Sequence, residues 1–357
     1  MKSRNIIPVF IPHCGCPHDC AFCNQKKITQ QQLPLKEDEI VNSIEEYLEY
    51  FGKDKETQIA FYGGSFTGIP REEMIRYLEI GGKYIKSGQV DSLRLSTRPD
   101  YIDGEILKIL AGYNVKTIEL GVQSMADDVL KANQRGHSSK DVETAVEIIR
   151  NYPFELGLQM MIGLYNDSLK SAFFSASKIT DLSPDFVRIY PTLVLENTYL
   201  ETLFRQGKFN PLTVEEAVEI LKKILPLFYQ KDIPIIRVGL QPTAEIQEGK
   251  SVIAGPFHPG IRSLAEEELY YEYMNRRLKD FEKITDLDFY TPHEYLNYTV
   301  GMKKRNKIRF LEEYGLKRIG FKGENRKDFE IIINNERSIH FFEKDIYNRA
   351  IEKAEVI

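Results

Sequence analysis

Through the first two thirds of the chain, apolar and polar positions follow one repeating pattern. A short apolar or β-branched run gives way to a polar loop, then to a stretch whose apolar residues recur every three to four positions. The runs Ile6–Ile11, Gln58–Tyr62, Ser92–Ser96, Thr117–Val122, Leu156–Ile162 and Phe186–Leu195 predict strands. Helices are expected over Glu37–Phe51, Arg71–Ile85, Gly104–Ala111, Ser138–Asn151, Ser168–Leu182 and Thr213–Gln230. Asp127, Ser138 and Thr213 stand where helix caps are expected. Strand alternating with helix implies parallel strands joined by helical crossovers. Such units build either an α/β barrel or a doubly wound sheet. Both folds gather their sites at the carboxyl ends of the strands, where Gly63-Gly64-Ser65, Ser96-Thr97-Arg98 and Gln123-Ser124 fall.

After about residue 240 the alternation stops. Arg262–Phe281 and Pro292–Tyr314 read as helices, and Leu316–Phe321 and Phe329–Ile333 as strands joined by the turn-rich Gly323-Glu324-Asn325. The expected division is residues 1–240 as the α/β part and 241–357 as a small α+β C-terminal appendage.

Composition adds exclusions. With 42% hydrophobic and 28% charged residues the chain is globular, not disordered or collagen-like. No apolar run reaches the roughly 18 residues that a membrane helix needs, so a soluble, cytoplasmic protein without membrane contact is expected. The formal net charge of −5 argues against a wholly basic nucleic-acid coat. It is unevenly spread: residues 301–327 hold ten Lys/Arg against three acids, a local +7. That segment is either a phosphate-binding face or a solvated surface with no partner.

The four cysteines, Cys14, Cys16, Cys20 and Cys23, all fall within ten residues. Such a cluster cannot staple distant segments, so metal or redox chemistry is indicated. Cys16-Pro-His-Asp-Cys20-Ala-Phe-Cys23 places three thiols on one tight loop, enough for three irons of a cubane. A four-iron ferredoxin site takes a fourth cysteine, usually distant, and none exists here. One iron is therefore expected to be open to a non-protein ligand. A zinc knuckle using Cys14 as fourth ligand is the alternative. Otherwise Cys14 is a bystander, and His13 and His18 are loop residues.

This C-x3-C-x2-C triad after the first strand resembles the signature of the radical S-adenosylmethionine (SAM) superfamily. The resemblance implies a partial (βα)6 TIM-like barrel and a [4Fe–4S] cluster on Cys16, Cys20 and Cys23. It implies SAM bound to the open iron, and reductive cleavage to a 5′-deoxyadenosyl radical. An electron donor such as flavodoxin or ferredoxin is implied too. It also suggests roles along the chain: Phe22 beside the adenine, Gly63 and Gly64 offering carbonyls to the methionine ammonium, and Ser96 and Arg98 at the end of the third strand. Gln123 would line the pocket, Arg135 would hold the SAM carboxylate through its planar fork, and Gln159 would reach the ribose. Many members carry an acid directly after the glycine pair, where this chain has Ser65. Within the apolar strand Ile118–Val122, Glu119 needs a partner such as Arg94 or Arg188.

Phe61-Tyr-Gly-Gly-Ser-Phe-Thr, Thr97-Arg-Pro-Asp-Tyr, Ile118-Glu-Leu-Gly-Val-Gln-Ser, Arg135-Gly-His and Arg188-Ile-Tyr-Pro-Thr-Leu-Val together resemble the Elongator catalytic-subunit type. That type modifies wobble uridine of tRNA with acetyl-CoA, which makes tRNA a candidate partner. Two departures point to a truncated relative without the acetyltransferase domain. The barrel starts near residue 5, and Arg318-Ile-Gly320-Phe-Lys-Gly323 lacks the glycine spacing of an acetyl-CoA loop. Two other readings remain: a coproporphyrinogen-oxidase-like enzyme, whose relatives resemble one another around a tyrosine where this chain has Phe22, and a non-catalytic electron-transfer protein.

Overall fold

The computed structural model describes residues 4–11, 20–23, 35–52, 54–240 and 250–355. Seven parallel strands form one sheet: β1 (Asn5–Ile11), β2 (Thr57–Gly63), β3 (Ser92–Thr97), β4 (Val115–Gln123), β5 (Glu155–Ile162), β6 (Phe186–Pro191) and, after the two-residue β7 (Val194–Leu195), β8 (Ile235–Val238). Their order in the sheet is β1-β2-β3-β4-β5-β6-β8. Each strand pairs with the next of the sheet in the chain, with helices in the crossovers, so the architecture is α/β, an open, partial TIM-like barrel.

The six expected strands are present, with a seventh, β8, added. Phe186–Leu195 is not one strand. It breaks after Pro191, and β7 turns to pair antiparallel with β9 (Val252–Ala254). Ser138 and Thr213 cap their helices, each in a capping box, with Asp141 and Glu216 reaching back. Asp127 is not a cap. It lies inside its helix and accepts from the Ser139 backbone N–H at 2.7 Å.

Strand alternation puts one row of each strand on the outer face, buried as apolar core (Ile59, Leu93, Leu95, Ile118, Leu120, Leu158, Val187), and leaves the inner face polar. At its amino end, Gln58 donates to Ser92, Thr117 donates to Glu155, and Arg4 pairs with Glu155 at 2.5 Å.

The chain divides into two compact units, residues 1–212 with 233–256, and 213–232 with 257–357. Helix Val214–Gln230 groups with the second unit. In that unit β10 (Asp286–Pro292), β11 (Arg318–Glu324), β12 (Phe329–Ile333) and β13 (Arg337–Phe341) order as β11-β10-β12-β13. Leu269, Tyr270, Phe289, Phe310, Phe329 and Ile331 fill its core. The turn at 323–325 does not make a hairpin, since β10 lies between β11 and β12. The expected helix Pro292–Tyr314 is broken at Gly301 (φ 78°), followed by Lys303 and Lys304 in left-handed backbone.

Among the described residues, no helix is long and apolar enough to cross a membrane.

Candidate functional site

The carboxyl ends of β2 to β5 surround one cleft lined by Cys20, Phe22, Cys23, Gly63, Gly64, Ser65, Ser96, Thr97, Arg98, Gly121, Gln123, Arg135 and Gln159. Every candidate site residue that the described residues contain lies there. Cys16, together with Cys14, His13 and His18, lies outside them.

Three backbone contacts hold the cysteine segment. The Cys23 N–H donates to the Cys20 carbonyl at 2.9 Å, closing a turn, and the Ala21 N–H donates to the Asn133 carbonyl at 3.0 Å. The Ala21 carbonyl accepts from the Leu200 N–H at 2.7 Å. Asn133 is fully buried, with its side chain bridging Val129 and Tyr165. Phe22 packs on Val194, Leu200, Leu203 and Phe209 while also lining the cleft.

Arg135 is buried behind the thiols. Its Nη2 donates to the Gly121 carbonyl at 2.7 Å, and Nη1 lies 3.5 Å from Cys20 Sγ. Its Nε is buried with no hydrogen-bond partner among the described residues. Gly121 is required by close approach, because a Cβ there would sit 2.9 Å from Arg135 Nη2 and 3.0 Å from Gln123 Nε2. Gln123, at the bulged end of β4, holds a positive φ of 66°. Gly63 adopts φ 107° where a Cβ would meet the Ile11 carbonyl at 2.7 Å, so only glycine lets the end of β2 lie against β1.

Ser65 and Thr97 share a hydroxyl hydrogen bond of 2.8 Å, and Thr97 bonds Thr67 at 2.6 Å, tying the loops after β2 and β3 together. Ser65 Oγ also accepts from the Arg98 N–H at 3.0 Å. Ser65 is thus a loop clasp. The Arg98 guanidinium is engaged by Asp100 through Nε (2.9 Å) and Nη2 (2.8 Å). Asp103 caps the next helix, its carboxylate accepting from the Ile106 N–H.

Directly beneath lies Glu119, fully buried. Arg94 Nη2 (2.9 Å) and Tyr62 Oη (3.0 Å) reach its Oε1, while Arg188 Nε (2.7 Å) and Gln159 Nε2 (2.9 Å) reach its Oε2. Burial pushes its pKa up, but Arg188, Arg94 and the donated hydrogen bonds outweigh burial, so Glu119 is held below the usual carboxylate range. Both proposed partners therefore bind it at once. Gln159 spends its amide N–H on Glu119 at the cleft floor.

The sequence reading passed over Thr97 and Gly121. A glycine inside a strand was the available signal for Gly121. Nothing local marks Thr97, whose partners are about 30 residues away.

His137 Nε2 donates to the Val122 carbonyl (3.2 Å), and its Nδ1 has no partner among the described residues. Burial, then the charges of Arg135 and Arg98, lower its pKa to about 4. The unfolded chain therefore binds a proton that the folded chain refuses. Stability unaffected by His137 above about pH 6.5 should fall by about 3 kcal/mol as pH drops to about 4. Urea unfolding across that window should show a shallower fall for His137→Gln than for wild type.

Comparison with known proteins adds family context. The Radical SAM superfamily matches residues 10–172, and the Radical SAM C-terminal domain matches residues 184–271. A tRNA uridine(34) acetyltransferase of Methanocaldococcus infernus is 30% identical over 52% of this chain and 33% of its own length. A Methanocaldococcus jannaschii protein of uncharacterised function is 30% identical over 60% of this chain and 69% of its own. The heme chaperone HemW of Bacillus subtilis is 28% identical over 63% of this chain and 59% of its own. The chain thus spans about a third of the acetyltransferase. Among solved structures, the archaeal Elp3 of Methanocaldococcus infernus with an N-terminal deletion superposes with TM-score 0.56 at 20% identity, covering 77% of this chain and 63% of that one.

Proposed function

The chain belongs to the radical SAM superfamily, and on that premise we propose that it is an enzyme that binds a [4Fe–4S] cluster and SAM in the cleft above Glu119. The observation that carries this reading is the meeting of Cys20, Cys23, Gly63, Gly64, Gln123 and Arg135 at one end of the sheet. The donor set suits the group: thiols on a closed turn, a buried guanidinium 3.5 Å from one sulfur, and beside it a buried Nε with no partner among the described residues. Cys16, Cys20 and Cys23 would hold the cluster. When bound, cluster and SAM supply one-electron cleavage of the sulfonium to a carbon radical that abstracts hydrogen.

The chain's own residues do the rest. Arg135 offers positive charge to a carboxylate and to the Cys20 thiolate. The carbonyls after β2 accept from an ammonium, and Phe22 offers an apolar face. The hydroxyl clasp of Ser65, Thr97 and Thr67 fixes the loops. A flavodoxin or ferredoxin is the proposed electron source.

Among substrates, tRNA has the support of the acetyltransferase relative's name. The basic segment supports it less than its composition implied. Arg309 pairs with Glu268, as Arg305 does more distantly, Arg318 pairs with Asp286 and Asp288, Lys322 with Glu324, and Arg326 with Asp328 and Glu330. The glycine segment 318–323 lies within strand β11.

The test is anaerobic reconstitution, followed by quantitation of 5′-deoxyadenosine and methionine after dithionite reduction. Stoichiometric release supports the reading, whereas a reduced cluster that leaves SAM intact refutes it. Arg135→Ala should retain iron yet bind SAM more weakly by roughly 1.5–3 kcal/mol, measured by equilibrium dialysis.

A further inference from the structure

The helix Asp127–Ala132 ends in two interlocked backbone bonds. The Gln134 N–H donates to the Lys131 carbonyl at 3.1 Å, and the Arg135 N–H to the Leu130 carbonyl at 3.0 Å. Gln134 takes the left-handed backbone that such an ending requires, at φ 52°. The ending fixes Asn133 and Arg135 relative to each other, and both engage the cysteine segment at adjacent residues. The Asn133 carbonyl accepts from the Ala21 N–H at 3.0 Å, and Arg135 Nη1 lies 3.5 Å from Cys20 Sγ.

The Asn133 side chain is fully buried and sets where that carbonyl sits. Its Nδ2 donates to the Val129 and Tyr165 carbonyls, both at 2.8 Å, and its Oδ1 accepts from the Tyr165 N–H at 3.2 Å. The amide therefore pairs with both backbone groups of Tyr165, as one peptide group pairs with another. An aspartate has no N–H for the two carbonyls, and a glutamine is one methylene too long. Tyr165 follows β5, and its ring meets Phe209 edge-on, with centroids 6.1 Å apart, in the apolar cluster where Phe22 and Leu200 also pack. Leu200 returns to the cysteine segment, its N–H donating to the Ala21 carbonyl. Asn133, Tyr165, Phe209, Leu200 and Ala21 thus close one ring of contacts. An apolar residue could fill the Asn133 position, but only a fully paired buried amide gives that ring a fixed geometry.

Resting on the radical SAM reading, we propose that Asn133 is a positioning residue for the cluster. Its side chain sets how closely the Arg135 guanidinium meets the Cys20 sulfur, and through that contact the potential at which the cluster accepts an electron from its donor. A hydrogen bond and a positive charge at a ligand sulfur favour the reduced cluster. Loosening the contact therefore moves the midpoint potential to a more negative value.

The test is a redox titration of the reconstituted full-length protein, followed by the EPR signal of the reduced cluster. SAM binding by equilibrium dialysis and Tm are measured on the same samples. Asn133→Leu keeps the side-chain volume and Asn133→Ser leaves room for water, so one stands in if the other fails to fold. Either should shift the midpoint negative and weaken SAM binding by about threefold or more. Arg135→Gln should shift the midpoint at least as far. Asn133→Ser combined with Arg135→Gln should go no further than Arg135→Gln alone, because Asn133 acts through that arginine. Leu107→Ala, at a fully buried position in the helix Gly104–Gly112, is the measure of lost stability alone. It should lower Tm and leave potential and SAM binding at wild-type values. A loaded wild type whose potential is unchanged in both Asn133 variants, or a double variant whose shifts simply add, overturns the positioning role alone. A wild type that takes up no cluster refutes the radical SAM reading and the proposal with it.

Discussion

Replacing Glu119 by Gln should lower the unfolding free energy by about 3–5 kcal/mol at neutral pH. The substitution keeps volume and most hydrogen-bonding capacity, so what it removes is charge. Arg94 and Arg188 are then left facing each other across a neutral amide, with side chains 5% and 14% exposed. Water cannot repay them at that depth. The pH dependence has a definite sign. Glu119 has a folded pKa below its unfolded one, so its contribution is complete above the unfolded pKa. It is lost as pH falls through the folded pKa. Wild type should therefore lose this part of its stability on acidification, and Glu119→Gln, having lost it already, should not. Urea titrations at neutral and acid pH measure both. Adding Arg94→Gln to Glu119→Gln should recover part of the loss, because the double variant buries one charge fewer. A loss under about 1 kcal/mol in the single variant would show that the surroundings compensate the arginines without Glu119.

How much of this was legible in the sequence depended on range. Period-two and period-3.6 patterns are local, so the first six strands and their helices could be read directly. β8 was missed because its four residues follow closely on the Lys231-Asp232 turn and Pro234 and carry Arg237 on the inner face, which breaks the apolar run. β10 does alternate, with Leu287, Phe289 and Thr291 buried, but it follows closely on a helix that had been read through Phe281. The reading of 292–314 as one helix failed at Gly301, which needs positive φ, and at two lysines whose left-handed backbone composition does not reveal. The ion pairing of the basic segment was not legible for another reason. Charge counts run along the chain, whereas Glu268, Asp286, Asp288, Asp328 and Glu330, which pair with its arginines, lie outside it. The cleft was more accessible, because parallel α/β topology sends every loop after a strand to the same end. Thr97 and the double engagement of Glu119 were not, since they depend on inter-strand register.

Cys20→Ala and Cys23→Ala should each abolish iron–sulfur loading and all SAM cleavage, the largest functional effect expected of any single change here. Cys16→Ala should do the same, as the third thiol of the C-x3-C-x2-C spacing. The Cys20–Cys23 turn is set by backbone contacts to Asn133 and Leu200 that do not involve sulfur. The cysteine-to-alanine proteins should therefore fold, and lost iron can be read as lost ligation. Loading is measured as iron and sulfide per chain, with the visible absorbance of the cluster and its reduced EPR signal. Cys14→Ala separates the two ligand sets that four clustered cysteines allow. Three-thiolate ligation leaves its loading near wild type and keeps an iron open to SAM. A four-thiolate site predicts that Cys14→Ala loses metal as completely as the others, and that zinc binds wild type as well as iron does. That pair of results would remove the open coordination position on which SAM cleavage depends.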